Sequence, residues 1–267
     1  MFVKSENLVS PHAFSTRIGG VSALPHTSEL NLAFGRGDED HIVIKNLEIF
    51  AENAGFDAKK VISLPQIHST IVHKVDSNDC GIGYYNRDFE NCLIFEGDGY
   101  VTNDKSIILG VKSADCSPIL FEAYDNDGNI IAIGATHAGW RGTVGKITKN
   151  CVDMLVSEYG AERKRIRACI GPCIHQCCFE VGDDVKDAVF SMGKDYEQYC
   201  AESGKGDGKY FCDIVGISTH VLINEAGLLE ENVSHIPDCI CCLPKKYYSH
   251  RYSKGQRGTM LSVIWMK

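Results

Sequence analysis

Seven short runs of apolar residues recur along the chain, and each has the length of a β-strand. Val, Ile and Leu dominate these runs, and polar or glycine-containing segments separate one run from the next. Such runs, bounded by turn-forming residues, are typical of strands. We therefore predict strands at 61–64, 70–75, 107–111, 119–123, 130–135, 166–170 and 261–265.

Helical periodicity is clearest at 143–159, where Val144, Ile147, Cys151 and Leu155 share one face. Further helices are predicted at 40–54, 182–190 and 214–226, and the polar segment 192–209 is predicted to be a loop. Strands outnumber helices and do not alternate with them regularly. This order favours an α+β fold over a doubly wound parallel sheet.

Length and composition indicate one large domain spanning 1–267, because 267 residues with 44% hydrophobic content can bury one sizeable core. The formal net charge of -8 argues against a nucleic-acid partner, since neutralising phosphates needs clustered Lys and Arg. We find no apolar run of the roughly 18 residues that a membrane helix needs. We therefore expect a soluble protein without a membrane partner.

The compartment is expected to be cytoplasmic and reducing, because the N-terminal residues lack the apolar core of a signal peptide. Disulfides are rare in such compartments, although the chain has thirteen cysteines. Cys92, Cys151 and Cys169 lie within apolar runs, where a free thiol packs as a small core residue.

Candidate metal ligands stand where three apolar runs break. His68 follows one run, Cys116 interrupts another, and His137 ends a third. Imidazole and thiolate are the ligands that zinc prefers, and three protein ligands with one open position are typical of a catalytic zinc centre. The residues are 48 and 21 positions apart, so only the fold can assemble them.

Two other interpretations use the same residue types. Cys116 could be a nucleophile with His137 as its base, as in a cysteine hydrolase, although such a pair does not need His68. A structural zinc cluster could instead form from cysteines of two short segments, Cys173, Cys177 and Cys178 in one and Cys239, Cys241 and Cys242 in the other.

Arginines beside glycines or tyrosines form a second candidate constellation. Arg17 lies in FSTRIGG, Arg141 in HAGWRG and Arg251 in YYSHRYSKG. Guanidinium groups bind phosphate bidentately, and glycines let the backbone approach a ligand closely. We predict that these three arginines bind phosphate, the alternative for each being a surface ion pair.

Segments in order along nearly the whole chain resemble the laccase-domain family, also called YfiH-like or polyphenol-oxidase-like, whose members are described as purine nucleoside phosphorylases. The matching segments are FSTRIGGVS (14–22), LNLAFGRGDED (30–40), LPQIHS (64–69), GDGYVTN (97–103), VKSADCSPILF (111–121), THAGWRGT (136–143), CIGPCIHQCCFEVGDDV (169–185) and YYSHRYSKGQRGTMLSVI (247–264).

The resemblance implies a four-layer α/β/β/α sandwich of mixed sheets with zinc on His68, Cys116 and His137. It implies phosphorolysis of adenosine, inosine or 5'-methylthioadenosine, with nucleoside and phosphate as partners, and also adenosine deamination. We take Asp115 as the candidate acid, its alternative role being a turn or cap beside Cys116. The older family name implies a copper-dependent polyphenol oxidase, and copper also suits these ligands.

The sequence departs from the usual family pattern at several points. Asp98 stands in GDG where an ADA-like run is common, and the C-terminal Arg251 is followed by Tyr instead of a second arginine. The C-terminal departure affects the predicted phosphate ligands near the C-terminus, and both departures leave the His–Cys–His group unchanged.

Overall fold

The structure is a computed structural model that describes residues 1–87, 96–204, 206 and 208–267. The predicted core thiol Cys92 lies outside the described residues. Among the described residues, no helix combines the length and the apolar character that crossing a membrane requires.

The described strands are β1 (Phe2–Val3), β2 (His12–Ser15), β3 (Val61–Ile62), β4 (Val72–Lys74), β5 (Gly99–Thr102), β6 (Ile108–Ser113), β7 (Ser117–Tyr124), β8 (Ile130–Ala138), β9 (Ile166–Ile170), β10 (Glu180–Val181), β11 (Cys200–Glu202), β12 (Tyr210–Cys212), β13 (Val233–His235) and β14 (Met260–Trp265). The helices are α1 (Asp40–Ala54), α2 (Trp140–Val144), α3 (Ile147–Tyr159), α4 (Asp183–Phe190), α5 (Ile214–His220) and α6 (His250–Ser253).

Two mixed sheets form the centre of the molecule. One has the order β1-β2-β14-β6-β3, and the other has the order β13-β9-β7-β8-β5-β4. Most neighbours are antiparallel, but β3–β6, β4–β5 and β9–β13 are parallel pairs. The predicted α+β class is therefore confirmed.

The sheets pack face to face, and a helix covers the outer face of each. Leu109 and Val111 of β6 pack with Leu120 and Ile133 of the opposite sheet. Successive side chains of a strand point to opposite faces, so the neighbours of these inward-facing residues point outward. On the outer faces, Ile108 and Val263 pack with α1. Ile119 and Phe121 pack with α3. The layers are helix, sheet, sheet and helix.

Helix predictions agree closely with the structure except at 143–159. That segment is divided into α2 and α3 at Gly145 and Lys146, where Lys146 has a φ of 61°. A Cβ at Gly145 would lie 2.4 Å from Thr70 Cγ2, so this turn needs glycine. The predicted helix at 214–226 continues past α5 as a π-helical segment, Val221–Glu225.

The loop prediction for 192–209 is wrong in part. A 3-10 helix occupies Lys194–Tyr199, and β11 follows it and pairs with β12 in a small sheet of order β10-β12-β11. Short strands of this kind depend on pairing with a distant segment, which local polarity does not reveal. Cys200 and Cys212 form a disulfide between these strands, which the expected reducing compartment does not favour.

Candidate metal centre

The three predicted metal ligands meet at one end of the two sheets. The chain crosses from one sheet to the other between β6 and β7, and Cys116 lies in this connection. His137 is next to last in β8, where it pairs with Pro118 of β7. His68 lies in the loop between β3 and β4.

Their ligand atoms lie within 4.8 Å of one another. Cys116 Sγ is 3.8 Å from His68 Nε2, and the rings of His68 and His137 are nearly perpendicular, with centroids 4.9 Å apart. Bond lengths of zinc to sulfur and nitrogen put tetrahedral neighbours about 3.6 Å apart. The donor set and its spacing therefore fit one zinc-sized ion.

Asp98 fixes the ring of His137 and the backbone at His68. Its buried carboxylate accepts a hydrogen bond of 2.8 Å from His137 Nδ1, which leaves Nε2 of His137 available to Cys116 or to a metal ion. Hydrogen bonds from the imidazole of a metal ligand to a carboxylate are common, because they set the ring orientation and raise ligand basicity.

The same carboxylate holds the backbone of the loop that carries His68. It accepts hydrogen bonds from the backbone N–H groups of Ile67, His68 and Ser69 and from the Ser69 hydroxyl. His68 has a φ of 59°, a left-handed conformation that is uncommon outside glycine. These bonds offset the cost of that conformation. Burial raises the pKa of Asp98, but the hydrogen bonds from His137 and from the N–H and hydroxyl of Ser69 outweigh burial and lower it.

Cys116 and His137 perturb each other in the absence of a metal. Burial alone would raise the pKa of the Cys116 thiol, but His137 and His68 lower it to about 6. Burial opposes protonation of His137, but Cys116 and Asp98 raise its pKa to about 9. The thiol is thus biased toward the thiolate, the form that binds metals.

A glycine is required beside this group. A Cβ on Gly139 would lie 2.6 Å from His68 Cδ2 and 3.2 Å from Cys116 Sγ. Gly139 has an ordinary φ of -70°, so it is the space for the two side chains, not the backbone conformation, that requires glycine.

A cavity of about 400 Å³ opens beside His68, Cys116 and His137. Its lining also includes Arg36, Lys112 and Arg257, none of which forms an ion pair with a carboxylate among the described residues. Burial and Arg36 lower the pKa of Lys112 to about 8, as expected where cations converge. Arg257 Nε is buried without a hydrogen-bond partner in the described part of the chain.

The arginines predicted from sequence do not line this cavity. Arg17 donates to the Pro244 carbonyl and the Ser28 hydroxyl, at 2.9 and 3.0 Å, and stacks on Tyr248. Arg141 is exposed and lies over the Trp140 ring, with 4.2 Å from Cζ to the centroid.

Arg251 is also exposed, and its guanidinium donates to the Cys178 carbonyl at 3.0 Å. Among the described residues, the cations of the lining that form no ion pair are therefore Arg36, Lys112 and Arg257, whereas Arg87, which also lines the cavity, is paired with Asp40. Two weak sequence signals point to them: Arg36 stands between two glycines, and Lys112 is a single charge within an apolar run.

Asp115, the candidate acid, has its carboxylate at the start of α6. It accepts hydrogen bonds from the Ser249 hydroxyl at 2.6 Å and from the Arg251 N–H at 2.7 Å. Burial raises its pKa, and these two hydrogen bonds oppose that rise. The contacts favour the capping role that the sequence left open.

The cysteine segments are also brought together. Cys177, Cys178, Cys239 and Cys242 form a second group whose sulfur atoms lie within 4.8 Å of one another, while Cys173 and Cys241 are not members. The structure therefore contains both arrangements that the sequence offered as alternatives.

Comparison with known proteins agrees with the sequence resemblance. The model of a family described as multi-copper polyphenol oxidoreductase laccase matches residues 11–267. The purine nucleoside phosphorylase YlmD of Bacillus subtilis (strain 168) is 34% identical over 254 residues, which cover 95% of this chain and 87% of that protein. Adenosine deaminase RL5, from an unknown prokaryotic organism, is 31% identical, with 96% of this chain and 94% of that protein covered.

The fold is also shared with solved structures. The crystal structure of YlmD from Geobacillus stearothermophilus superimposes with a TM-score of 0.88 at 28% sequence identity. The match covers 98% of this chain and 94% of that one.

Proposed function

Because the chain belongs to the family described as multi-copper polyphenol oxidoreductase laccase, whose relatives include purine nucleoside phosphorylases, we propose that it is a zinc-dependent purine nucleoside phosphorylase. The proposed substrates are adenosine, inosine and 5'-methylthioadenosine, with phosphate as the second substrate. The observation that carries this proposal is that the His–Cys–His group and three cations line the same cavity. Among the described residues, these three cations form no ion pair with a carboxylate.

His68, Cys116 and His137 are the proposed zinc ligands, and Asp98 is the residue that positions both histidines. When bound, zinc would supply a Lewis acid at the floor of the cavity. Copper suits the same donors, but imidazole and thiolate in tetrahedral spacing favour zinc.

Phosphate is assigned to Arg36, Lys112 and Arg257. Three converging cations in a partly enclosed site repel one another unless an anion lies between them. The partnerless Nε of Arg257 is a donor that a phosphate oxygen would satisfy. Gln66 positions Lys112, because its amide makes two hydrogen bonds of 2.7 Å with the Lys112 backbone.

The cavity is large enough for a nucleoside, since small-molecule sites commonly measure about 300–1,000 Å³. Phe34 supplies an aromatic wall against which a purine can stack. In the proposed reaction a phosphate oxygen forms a bond to ribose C1', and the bond from C1' to the base nitrogen breaks. The electron pair leaves with the base, which takes up the proton that hydrogen phosphate loses, and ribose 1-phosphate is the other product.

Adenosine deamination is a second proposed activity, supported by the relative named adenosine deaminase. The His–Cys–His group suits it, because zinc deaminases of nucleobases use His and Cys ligands. Deamination consumes water and needs no phosphate, so omitting phosphate separates the two activities.

A cysteine hydrolase is the strongest rival, because Asp98, His137 and Cys116 are arranged as an acid, a base and a nucleophile. His68 has no role in that arrangement. A polyphenol oxidase is less well supported: the described residues hold one His–Cys–His group and one all-cysteine group, whereas several coppers need clustered histidines.

The test is chromatography of the products from inosine with and without phosphate, combined with elemental analysis of the purified chain. We expect hypoxanthine and ribose 1-phosphate only when phosphate is present, and loss of both metal and turnover in Cys116→Ala. Phosphate-independent release of free ribose, or turnover that survives metal removal but not thiol alkylation, would overturn the proposal in favour of a hydrolase. Oxygen-dependent turnover of phenols without any phosphorolysis would favour the oxidase.

A further inference from the structure

The second group of cysteines joins two separate turns of the chain. Cys177 and Cys178 lie in a turn closed by hydrogen bonds from Cys178 and Phe179 to the His175 carbonyl. Cys239 and Cys242 lie in another turn, in which the Cys242 N–H donates to the Cys239 carbonyl at 3.1 Å. Each turn contributes two sulfur atoms to one point.

The distances between these sulfurs have the length of the edge of a metal–thiolate tetrahedron. Sγ of Cys242 is 3.7 Å from that of Cys177 and 3.3 Å from that of Cys178, while Cys177 and Cys178 are 3.9 Å apart. Four thiolates at the zinc–sulfur bond length of about 2.3 Å lie about 3.8 Å from one another. A disulfide instead needs sulfurs about 2.05 Å apart, so the spacing fits a metal and not a bond between cysteines.

The surroundings fit a negatively charged metal–thiolate centre. The His175 N–H points at Cys239 Sγ, 3.5 Å away, and such contacts stabilise thiolate charge. The Arg251 guanidinium donates to the carbonyl of Cys178, which places a cation beside the group. Four thiolates around one divalent ion carry a net charge of -2, which a neighbouring guanidinium offsets in part.

We propose that Cys177, Cys178, Cys239 and Cys242 bind a structural zinc ion, separate from the His–Cys–His centre. All-cysteine tetrahedral sites have no open position and act by holding segments together. Here the segments already meet at a bridge between Cys173 and Cys239, where the Ile240 N–H donates to the Cys173 carbonyl at 3.0 Å.

The two segments that this ion would join also contact the end of the sheets where the His–Cys–His group lies. In the segment of Cys177 and Cys178, the Ile174 N–H donates to the Asp115 carbonyl. The segment of Cys239 and Cys242 continues to Ser249, whose hydroxyl donates to the Asp115 carboxylate. Asp115 immediately precedes Cys116. The ion would therefore hold two segments that both contact the residue preceding a ligand of the first centre, without touching substrate.

The test is the zinc content of the purified, dialysed chain and of three variants, measured by elemental analysis. We expect about two zinc ions per chain in the parent, and about one in Cys116→Ser and in the double variant Cys177→Ser/Cys242→Ser. Cys241→Ser is the matched control, because it changes a cysteine of the same turn outside the group and should retain both ions.

Cobalt substitution identifies the ligands independently of activity. In Cys116→Ser, where only the second centre remains, cobalt should give the visible and thiolate charge-transfer absorption of a tetrathiolate site. Absence of any ion in Cys116→Ser, or a disulfide among these cysteines in the purified chain, would overturn the proposal even if the double variant failed to fold. Because the readout is metal content, this proposal is tested independently of nucleoside turnover, and its failure can be distinguished from failure of the proposed function.

Discussion

Asp98 and His137 are joined twice, once through the side chains and once through the backbone. His137 Nδ1 lies 2.8 Å from the Asp98 carboxylate, and the His137 N–H donates to the Asp98 carbonyl at 2.7 Å. The backbone bond fixes the position of β8 beside the chain at Asp98, and the side-chain bond fixes the ring. Since the same carboxylate binds the His68 loop, one residue sets the geometry of two proposed metal ligands.

We expect Asp98→Asn to weaken zinc binding by about 10–100-fold, because changes to the hydrogen-bond partner of a ligating histidine usually have effects of this size. The amide also cannot accept all the N–H donors of the loop as a carboxylate does. Competition with a chelator of known affinity measures the effect. Asp104→Asn is the control, because the Asp104 carboxylate also accepts backbone N–H bonds but from Ser77 and Ser106, which are not metal ligands. Equal affinity in both variants would contradict the positioning role.

Gly139→Ala should displace His68 and Cys116 without unfolding the protein. The added Cβ would lie 2.6 Å from the His68 ring, while the backbone conformation at Gly139 is one that alanine adopts readily. We expect a large loss of zinc affinity and turnover with an almost unchanged melting temperature. Alanine at Gly128 would be strained, because Gly128 has a φ of 84°. The control is therefore Ala33→Gly, since Ala33 lines the same cavity and is not one of the proposed metal ligands.

Arg257→Gln and Arg36→Gln should raise the KM for phosphate by about tenfold or more, because a charge-assisted hydrogen bond contributes roughly 1.5–3 kcal/mol. The KM for inosine should change less. Arg141→Gln discriminates between the sequence-based assignment and the structure-based one, since Arg141 lies outside the cavity lining. A phosphate defect in Arg141→Gln alone would restore the assignment made from sequence.

Phosphate use should decline as the pH rises above about 8. Burial and Arg36 lower the pKa of Lys112 to about 8, so its ammonium is present below that pH and is lost above it. The measurement is the phosphate KM as a function of pH. Lys112→Arg keeps its charge throughout this range and should remove the decline, whereas an unchanged profile in that variant would show that another group titrates.

Two variants can distinguish whether Asp115 caps α6 or acts as the acid. If its carboxylate caps α6, Asp115→Asn and Ser249→Ala should lower the melting temperature and turnover to similar extents. Asparagine keeps only one acceptor oxygen for the two donors, and Ser249→Ala removes one of those donors. If Asp115 is the acid, Asp115→Asn alone should abolish kcat. We expect the first result, since both carboxylate oxygens already accept hydrogen bonds.

Local pattern was sufficient for much of the fold. The helix predicted at 40–54 coincides with α1, and the strand predicted at 166–170 coincides with β9. The first is a long periodic helix that buries one face, and the second is a mostly apolar run that is buried on both faces. The break at Gly145 was not predicted, because it depends on the approach of Thr70 from a distant strand connection.

By itself the sequence predicted His68, Cys116 and His137 as candidate metal ligands, because they stand where apolar runs end, and it left two cysteine segments as an alternative. It also determined the α+β class, through the order of short apolar runs. Tertiary structure alone decided that Arg36, Lys112 and Arg257 share a cavity with those ligands, and that four other cysteines meet at a second point. These groups come from segments far apart in the chain, so their distances depend on how the sheets and turns pack, which no local pattern encodes.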